Sequence, residues 1–237
     1  MRACQILMYK VIGTEWPPDI IIDRNSEVSL KAIFSECGIA LQVEKVDDNL
    51  SGLPGGRSFE IADLYTVLET TLMQQNLSDD LSWIATVLIV PEISITLNYR
   101  YRHPLGLMFD TNTTGANKQT RRGCAIAYQR VRTEPKSFLR TLAHELGHIF
   151  NLGHPGEDAE PFSRDAINTL MVPTEHLRPP NRIPETIEFR FSSLQREWLK
   201  HAPDDYVRPG GIKYGARPEN WPTAFILEED SKAQSAT

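Results

Sequence analysis

The chain has little cysteine, no long hydrophobic run and no excess of positive charge, and each shortage removes a class of protein. Three cysteines in 237 residues, Cys4, Cys37 and Cys124, are too widely spaced and odd in number for a disulfide framework. Three reduced, buried thiols are therefore expected. No stretch approaches the roughly 18 apolar residues that a membrane span requires. The longest, Ile84 to Val90, is interrupted by Thr86 and stopped by Pro91, so no membrane partner is expected. The first ten residues alternate instead of forming an apolar signal core, which makes cytoplasmic residence the default expectation. A net charge of −6 argues against a globally nucleic-acid-binding protein. There is no internal repeat. What is present, 41% hydrophobic and 24% charged residues, is the composition of an ordinary globular chain with enough material for a core.

Periodicity supplies the element order. Ala3 to Ile12 and Ile39 to Val46 alternate as strands, and Trp83 to Ile93 reads as an interior strand covered on both faces. Leu105 to Phe109 and Cys124 to Val131 read as two shorter strands joined by a polar loop over Asp110 to Arg122. Helices are expected from Ser26 to about Glu36, from Ser58 or Phe59 to Leu72, and from Lys136 to about Phe150 behind Pro135. After that, repeated prolines break the chain into loops. One further helix, Ser192 or Ser193 to about His201, turns Trp198 inward, and Phe191 before it is most simply core. The residues from Leu227 onward are polar and expected to be disordered.

One segment carries chemistry: His144-Glu145-Leu146-Gly147-His148-Ile149-Phe150-Asn151-Leu152-Gly153-His154. His144 and His148 are four apart, so on a helix both imidazoles project from one face and can reach one zinc ion at about 2.1 Å. Glu145 is rotated about 100° from His144, so it flanks the metal and is free to take a proton from water. His154 can join only if the helix ends and the chain turns back. Asn151 and Gly153 tolerate the left-handed conformation such a turn needs, and Pro155 blocks helix continuation. Position 151 is read as a backbone device, so that glycine there would be tolerated. Three histidines leave a fourth position open for water, as a catalytic zinc site requires. A closed structural site would need a fourth protein ligand, for which His176 is the candidate. A zinc-binding but non-hydrolytic interaction module is the other alternative, although it would have no need of a base at Glu145.

This segment resembles the active-site motif of the metzincin clan of zinc endopeptidases, His-Glu-x-x-His-x-x-Gly-x-x-His, at every position except Asn151, where the clan has glycine. The resemblance implies a methionine-bearing turn beneath the metal, for which Asn168-Thr169-Leu170-Met171-Val172-Pro173 is the candidate, with Met171 as its apolar floor. It implies an α/β zincin-like fold: a twisted, mostly parallel five-stranded sheet with the active-site helix, and an irregular lower subdomain with one C-terminal helix. The expected organisation is a single catalytic domain over 1–237. Its upper subdomain is about 1–154, its lower subdomain about 155–226, and 227–237 form a tail. The implied activity is hydrolysis of internal peptide bonds by one Zn²⁺ held by His144, His148 and His154, with Glu145 as general base. The partner would be a protein or peptide substrate lying along an edge strand formed by Leu105, Gly106, Leu107, Met108 and Phe109, and the chain would act as a monomer. Some subfamilies carry a tyrosine after the methionine, near the zinc; here Pro173 occupies that position.

Two further signals are weaker. Residues 98–140 hold nine Lys/Arg against two acids, a local +7 that leaves −13 on the remainder. This is either a solvated basic face or a preference for acidic substrate segments. The acidic run from Gly156 to Glu160 lacks an ordered calcium-ligand spacing and reads as a solvated loop.

Overall fold

The structure, a computed structural model, describes residues 1–47, 58–74, 83–97, 100–109, 120–156, 164–177, 185–219 and 221. The expected tail, most of the 110–122 loop and residues 157–160 of the acidic run lie outside these. The N-terminal elements are β1 (Arg2–Lys10), β2 (Ile21–Asp23), β3 (Ser26–Val28), α1 (Leu30–Ser35), β4 (Ile39–Asp47), β5 (Phe59–Glu60) and α2 (Ile61–Gln74). There follow β6 (Ile84–Val90), β7 (Ile93–Leu97), β8 (Arg100–Arg102), β9 (Gly106–Phe109), β10 (Gly123–Ala127), α3 (Tyr128–Val131), α4 (Pro135–Ile149), α5 (Ser193–His201) and α6 (Asp204–Val207).

The main sheet has five strands in the order β4-β1-β6-β10-β9. The first four are mutually parallel, and β9 closes one edge antiparallel to β10. The fold is therefore mixed α/β around a mostly parallel sheet. Strand alternation sorts the core into two layers. Ile6, Met8, Val87, Ile89, Cys124 and Ile126 face α1 and α4. Leu7, Tyr9, Leu88, Val90, Ala125 and Ala127 face the other way, where Leu64, Val67 and Leu68 of α2 cover them. β6 lies at the centre and is buried from Ala85 to Val90, as its unbroken apolar run predicts. All three cysteines are free and buried.

The first hydrophobic layer continues without interruption from β1 through Phe150, Leu170, Met171 and Phe191 to Trp198 and Val207. Phe34 of α1 is its hinge, with ring centroids 5.3 Å from Phe150 and 5.2 Å from Phe191. Phe191 and Trp198 are core residues, as expected, at 0% and 1% exposure. α5 starts where the sequence placed it, because Ser192 and Gln195 form a reciprocal capping box. Among the described residues, no helix is long and apolar enough to cross a membrane.

Local readings differ from the structure in four places. The run read as one strand from Trp83 to Ile93 ends as β6 at Val90, beyond which Pro91 breaks it, and Ile93 begins β7, which pairs with β5 and β8 in a separate sheet. Ser26 begins β3 instead of a helix, because Arg24 and Asn25 both take positive φ (47° and 66°) and close a two-residue hairpin between β2 and β3. The helix cap moves to Ser29, whose hydroxyl accepts from the Ala32 amide. The strand beginning near Cys124 ends at Ala127, and the chain turns at once into the one-turn α3, which buries Val131. The C-terminal part holds a second short helix, α6, beside the expected α5.

Candidate metal centre

α4 carries the decisive residues. Pro135 occupies its first turn, where a missing N–H costs nothing. Every residue from Phe138 to Ile149 is buried, so the helix runs beneath the sheet as a core element. At its end the Asn151 amide donates to the His148 carbonyl (2.9 Å) and the Leu152 amide to the Gly147 carbonyl (2.9 Å). This is a Schellman closure around a left-handed Asn151, with φ of 65°. The reversal brings His154 back over the helix.

The three imidazoles converge. His148 Nε2 lies 3.1 Å and His154 Nε2 3.2 Å from His144 Nε2. Among the described residues these three form a group whose ligand atoms all lie within 4.8 Å of one another. His176 is not part of it. The donor chemistry tests whether a metal fits. His144 Nδ1 lies 2.7 Å from the Leu170 carbonyl and His148 Nδ1 2.8 Å from the Leu152 carbonyl. A carbonyl only accepts, so each Nδ1 carries the proton and each Nε2 presents a bare lone pair. Two lone pairs 3.1 Å apart cannot hydrogen-bond each other. They repel unless a cation lies between them, and that spacing suits nitrogens each about 2.1 Å from one tetrahedral zinc. The three histidines could thus hold a zinc ion.

Electrostatics agree with this arrangement. Burial, with the neighbouring histidine second, holds His144 well below the usual imidazole range, and burial holds His148 down at about 3. Both are therefore neutral, the form that ligates. Burial pushes the Glu145 carboxyl up to about 8, against the pull of the Met108 amide and the Arg140 guanidinium. A divalent cation among the histidines would draw it back down.

Glu145 is fixed by the edge strand. The Met108 amide donates to Glu145 Oε2 at 2.7 Å. The Ala127 amide bonds the Leu105 carbonyl at 2.8 Å, so Leu105, Leu107 and Phe109 turn their backbone groups toward β10. Gly106 and Met108 turn theirs outward. Gly106 is required by this approach. A Cβ there would stand 2.6 Å from Glu145 Cγ and 2.8 Å from Thr141 Cγ2.

Met171 lies on the opposite side of α4, fully buried. A Cβ on Gly147 would come within 2.4 Å of its sulfur, so the glycine lets the methionine pack directly beneath the histidine-bearing turn. Arg140, also buried, donates to the Thr174 hydroxyl (2.9 Å) and to the Val172 carbonyl, tying this segment to the helix. Arg121 and Arg122 are buried as well. The basic segment is therefore not one solvated face, since three of its arginines serve the interior. Arg102 and Arg130 line the cleft of about 960 Å³ that opens over the histidines.

Tyr214 is the residue that sequence reasoning missed. It lines the same cleft, and its hydroxyl lies 3.2 Å from His148 Nδ1 and 3.3 Å from the Leu152 carbonyl. It lies sixty positions beyond His154 in the sequence, and only the adjoining Gly215 hints at a turn. Asn151 also does more than its backbone role. Its side chain is wholly buried and bonds three groups of the C-terminal segment: the Tyr206 and Ala216 carbonyls (3.0 and 3.1 Å) and the Gly215 amide (2.8 Å). Glycine there would keep the turn and lose all three bonds.

No protein-family model and no curated protein sequence matches the chain. Among solved structures it is similar to a zinc-dependent peptidase from Methanocorpusculum labreanum (strain Z), at 13% sequence identity and a TM-score of 0.47. The likeness covers 82% of this chain and 99% of that one.

Proposed function

We propose that this protein is a zinc-dependent endopeptidase of the metzincin kind. The observation that carries the reading is the convergence of three imidazole Nε2 atoms on one point, two of them with their lone pairs bared by Nδ1 contacts to carbonyls, with a buried carboxylate fixed beside them by the edge strand. In this reading His144, His148 and His154 hold one Zn²⁺, which supplies Lewis acidity and lowers the pKa of water to about 7. Glu145 takes the proton from the attacking water and delivers it to the departing amine. The Met108 amide keeps one carboxylate oxygen oriented, which leaves the other for the proton. Met171 and Gly147 form the apolar floor under the ligand helix.

The substrate lies extended along β9, the open edge of the sheet, and adds main-chain hydrogen bonds there. The register refines that expectation. The outward-facing groups are those of Gly106 and Met108, and the Met108 N–H already serves Glu145, so pairing uses the remaining ones. An open cleft admits the chain on both sides of the scissile bond, which favours internal cleavage. The two-subdomain division, upper to about residue 154 and lower beyond it, is part of the same reading, as is action as a monomer. One continuous hydrophobic layer joins the two parts. The test is digestion of a peptide library with mass-spectrometric readout beside the Glu145→Gln variant. Internal cleavage by the wild type, lost in the variant, supports the reading. No cleavage by zinc-loaded wild type would favour the non-hydrolytic module instead.

A further inference from the structure

Two regions remote in sequence grip the metal centre from outside, and one of them has no counterpart in the motif. The segment Tyr206 to Arg217 crosses the end of α4 as a strap, held from below by two buried side chains. Asn151 bonds Tyr206, Gly215 and Ala216. Arg121, at a positive φ of 53°, donates to the Ile149 carbonyl at the helix end (2.5 Å) and to the Ile212 and Arg208 carbonyls (2.8 and 3.0 Å). Thr120 adds a hydroxyl bond to the Gly211 carbonyl (2.7 Å). A cation at Ile149 also suits the negative end of the helix dipole. So anchored, the strap delivers Tyr214 to His148. The phenol ring meets the imidazole edge-on at 5.7 Å and 82°. Its hydroxyl donates to the Leu152 carbonyl and shares the Nδ1 proton that this carbonyl accepts.

We propose that Tyr214 is a positioning residue of the metal centre and that Asn151 is the latch that holds it there. This rests on reading the three histidines as a zinc site. The two helical ligands need different supports. The His144 ring is fixed by the Leu170 carbonyl, deep under the helix and fully buried. The His148 Nδ1 relies on the Leu152 carbonyl, which lies just past the helix end. Tyr214 braces that carbonyl and that ring at once. Partners of this kind fix the tautomer and direction of a ligating imidazole, and their removal commonly costs 10–100-fold in metal affinity. On this account the asparagine that stands where the resembling family has glycine couples the turn to the strap.

The experiment compares full-length wild type, Tyr214→Phe, Asn151→Gly and the double variant. One readout is the rate of zinc loss to a chromogenic chelator; the other is the visible spectrum of each protein saturated with Co²⁺. Tyr214→Phe keeps the ring and removes the hydroxyl, so the fold should persist, as thermal denaturation will show. Zinc loss should accelerate roughly tenfold or more, and the Co²⁺ bands should shift because the His148 ring is freed to tilt. Asn151→Gly should act in the same direction, and the double variant should be little worse than the more affected single one, since both act through one contact. Wild-type zinc release and an unchanged Co²⁺ spectrum in Tyr214→Phe would overturn the proposal. So would effects of the two substitutions that multiply in full. A wild type that takes up no zinc would overturn the reading of the site itself, and this inference with it.

Discussion

Helix α4 and the strap at Tyr206 to Arg217 meet at the same imidazole, yet they are specified in opposite ways. α4 is written locally. Its residues sit at helical spacing behind a Pro in the first turn, with two histidines one turn apart and a left-handed stop at Asn151. Each feature is legible within a window of twenty residues. The strap contains one helical turn at its start and is held by side chains from residues 120, 121 and 151. Nothing inside it announces where it lies. The candidate ligands are placed by local geometry, whereas the groups that orient them come from wherever the chain returns. His144 borrows a carbonyl from Leu170, His148 one from Leu152, and Glu145 an amide from Met108.

The largest expected effect isolates the local half. Glu145→Gln should retain the fold and zinc and lose roughly 10²–10⁴-fold in peptide hydrolysis, the usual range for a general base. Retained turnover at full zinc content would remove Glu145 from that role. Next comes the remote support of the same side chain. Gly106→Ala places a methyl group where Glu145 Cγ and Thr141 Cγ2 stand. The carboxylate must shift, which should cost on the order of 10²-fold in kcat while zinc stays bound. A kcat within twofold of wild type would show that β9 yields more easily than the register suggests.

Stability sharpens the contrast further. Asn151→Gly keeps a residue suited to φ of 65° but deletes three buried hydrogen bonds. At about 0.5–1.5 kcal/mol each, the loss should be roughly 2–4 kcal/mol, read as a lower urea midpoint. No loss would return position 151 to the purely backbone role its sequence context suggests.

The smallest effect is the pH dependence of the metal-free protein. The two buried helical histidines have depressed folded values, so they penalise the native state as pH falls below about 6.5, progressively toward the folded value of about 3 for His148. Glu145 has the opposite sign. Its raised value of about 8 penalises the native state as pH rises from about 4.5 to 8, where the unfolded carboxyl ionises freely. The metal-free chain should therefore be most stable near pH 6.5, with a shallow loss above. Zinc should remove the alkaline loss by favouring the ionised carboxylate. Urea midpoints from pH 5 to 8, with and without zinc, measure both limbs. An alkaline limb unmoved by zinc would mean that Glu145 does not feel the metal.

Legibility followed the same division. The sheet strands β1, β4 and β6, the helix α4 and the cap of α5 could be read because each depends on its own periodicity and termini. Ser26 misled because a hairpin turn at Arg24-Asn25 competes with a helix cap, and the hairpin prevailed through pairing with β2. The strand begun near Cys124 was read too long because Tyr128 to Val131 suits a strand as well as a single helical turn. At the site, the motif supplied His144, Glu145, His148 and His154 as candidates. Tyr214 was illegible, and so was the side-chain role of Asn151, because both depend on contacts across more than fifty residues. Arg121, Arg122 and Arg140 counted as surface charge in the sequence, yet all three are buried, and the guanidinium groups of Arg121 and Arg140 find carbonyl and hydroxyl acceptors only in the folded chain.

In the proposed site three imidazole Nε2 atoms, and no fourth protein group, hold one zinc ion. X-ray absorption at the zinc edge on the reconstituted full-length protein, with metal analysis of the same sample, tests it most directly. The expected result is one zinc per chain, with three imidazole nitrogens and one water oxygen at about 2.0–2.1 Å. A fourth imidazole, a sulfur ligand or substoichiometric zinc would contradict it.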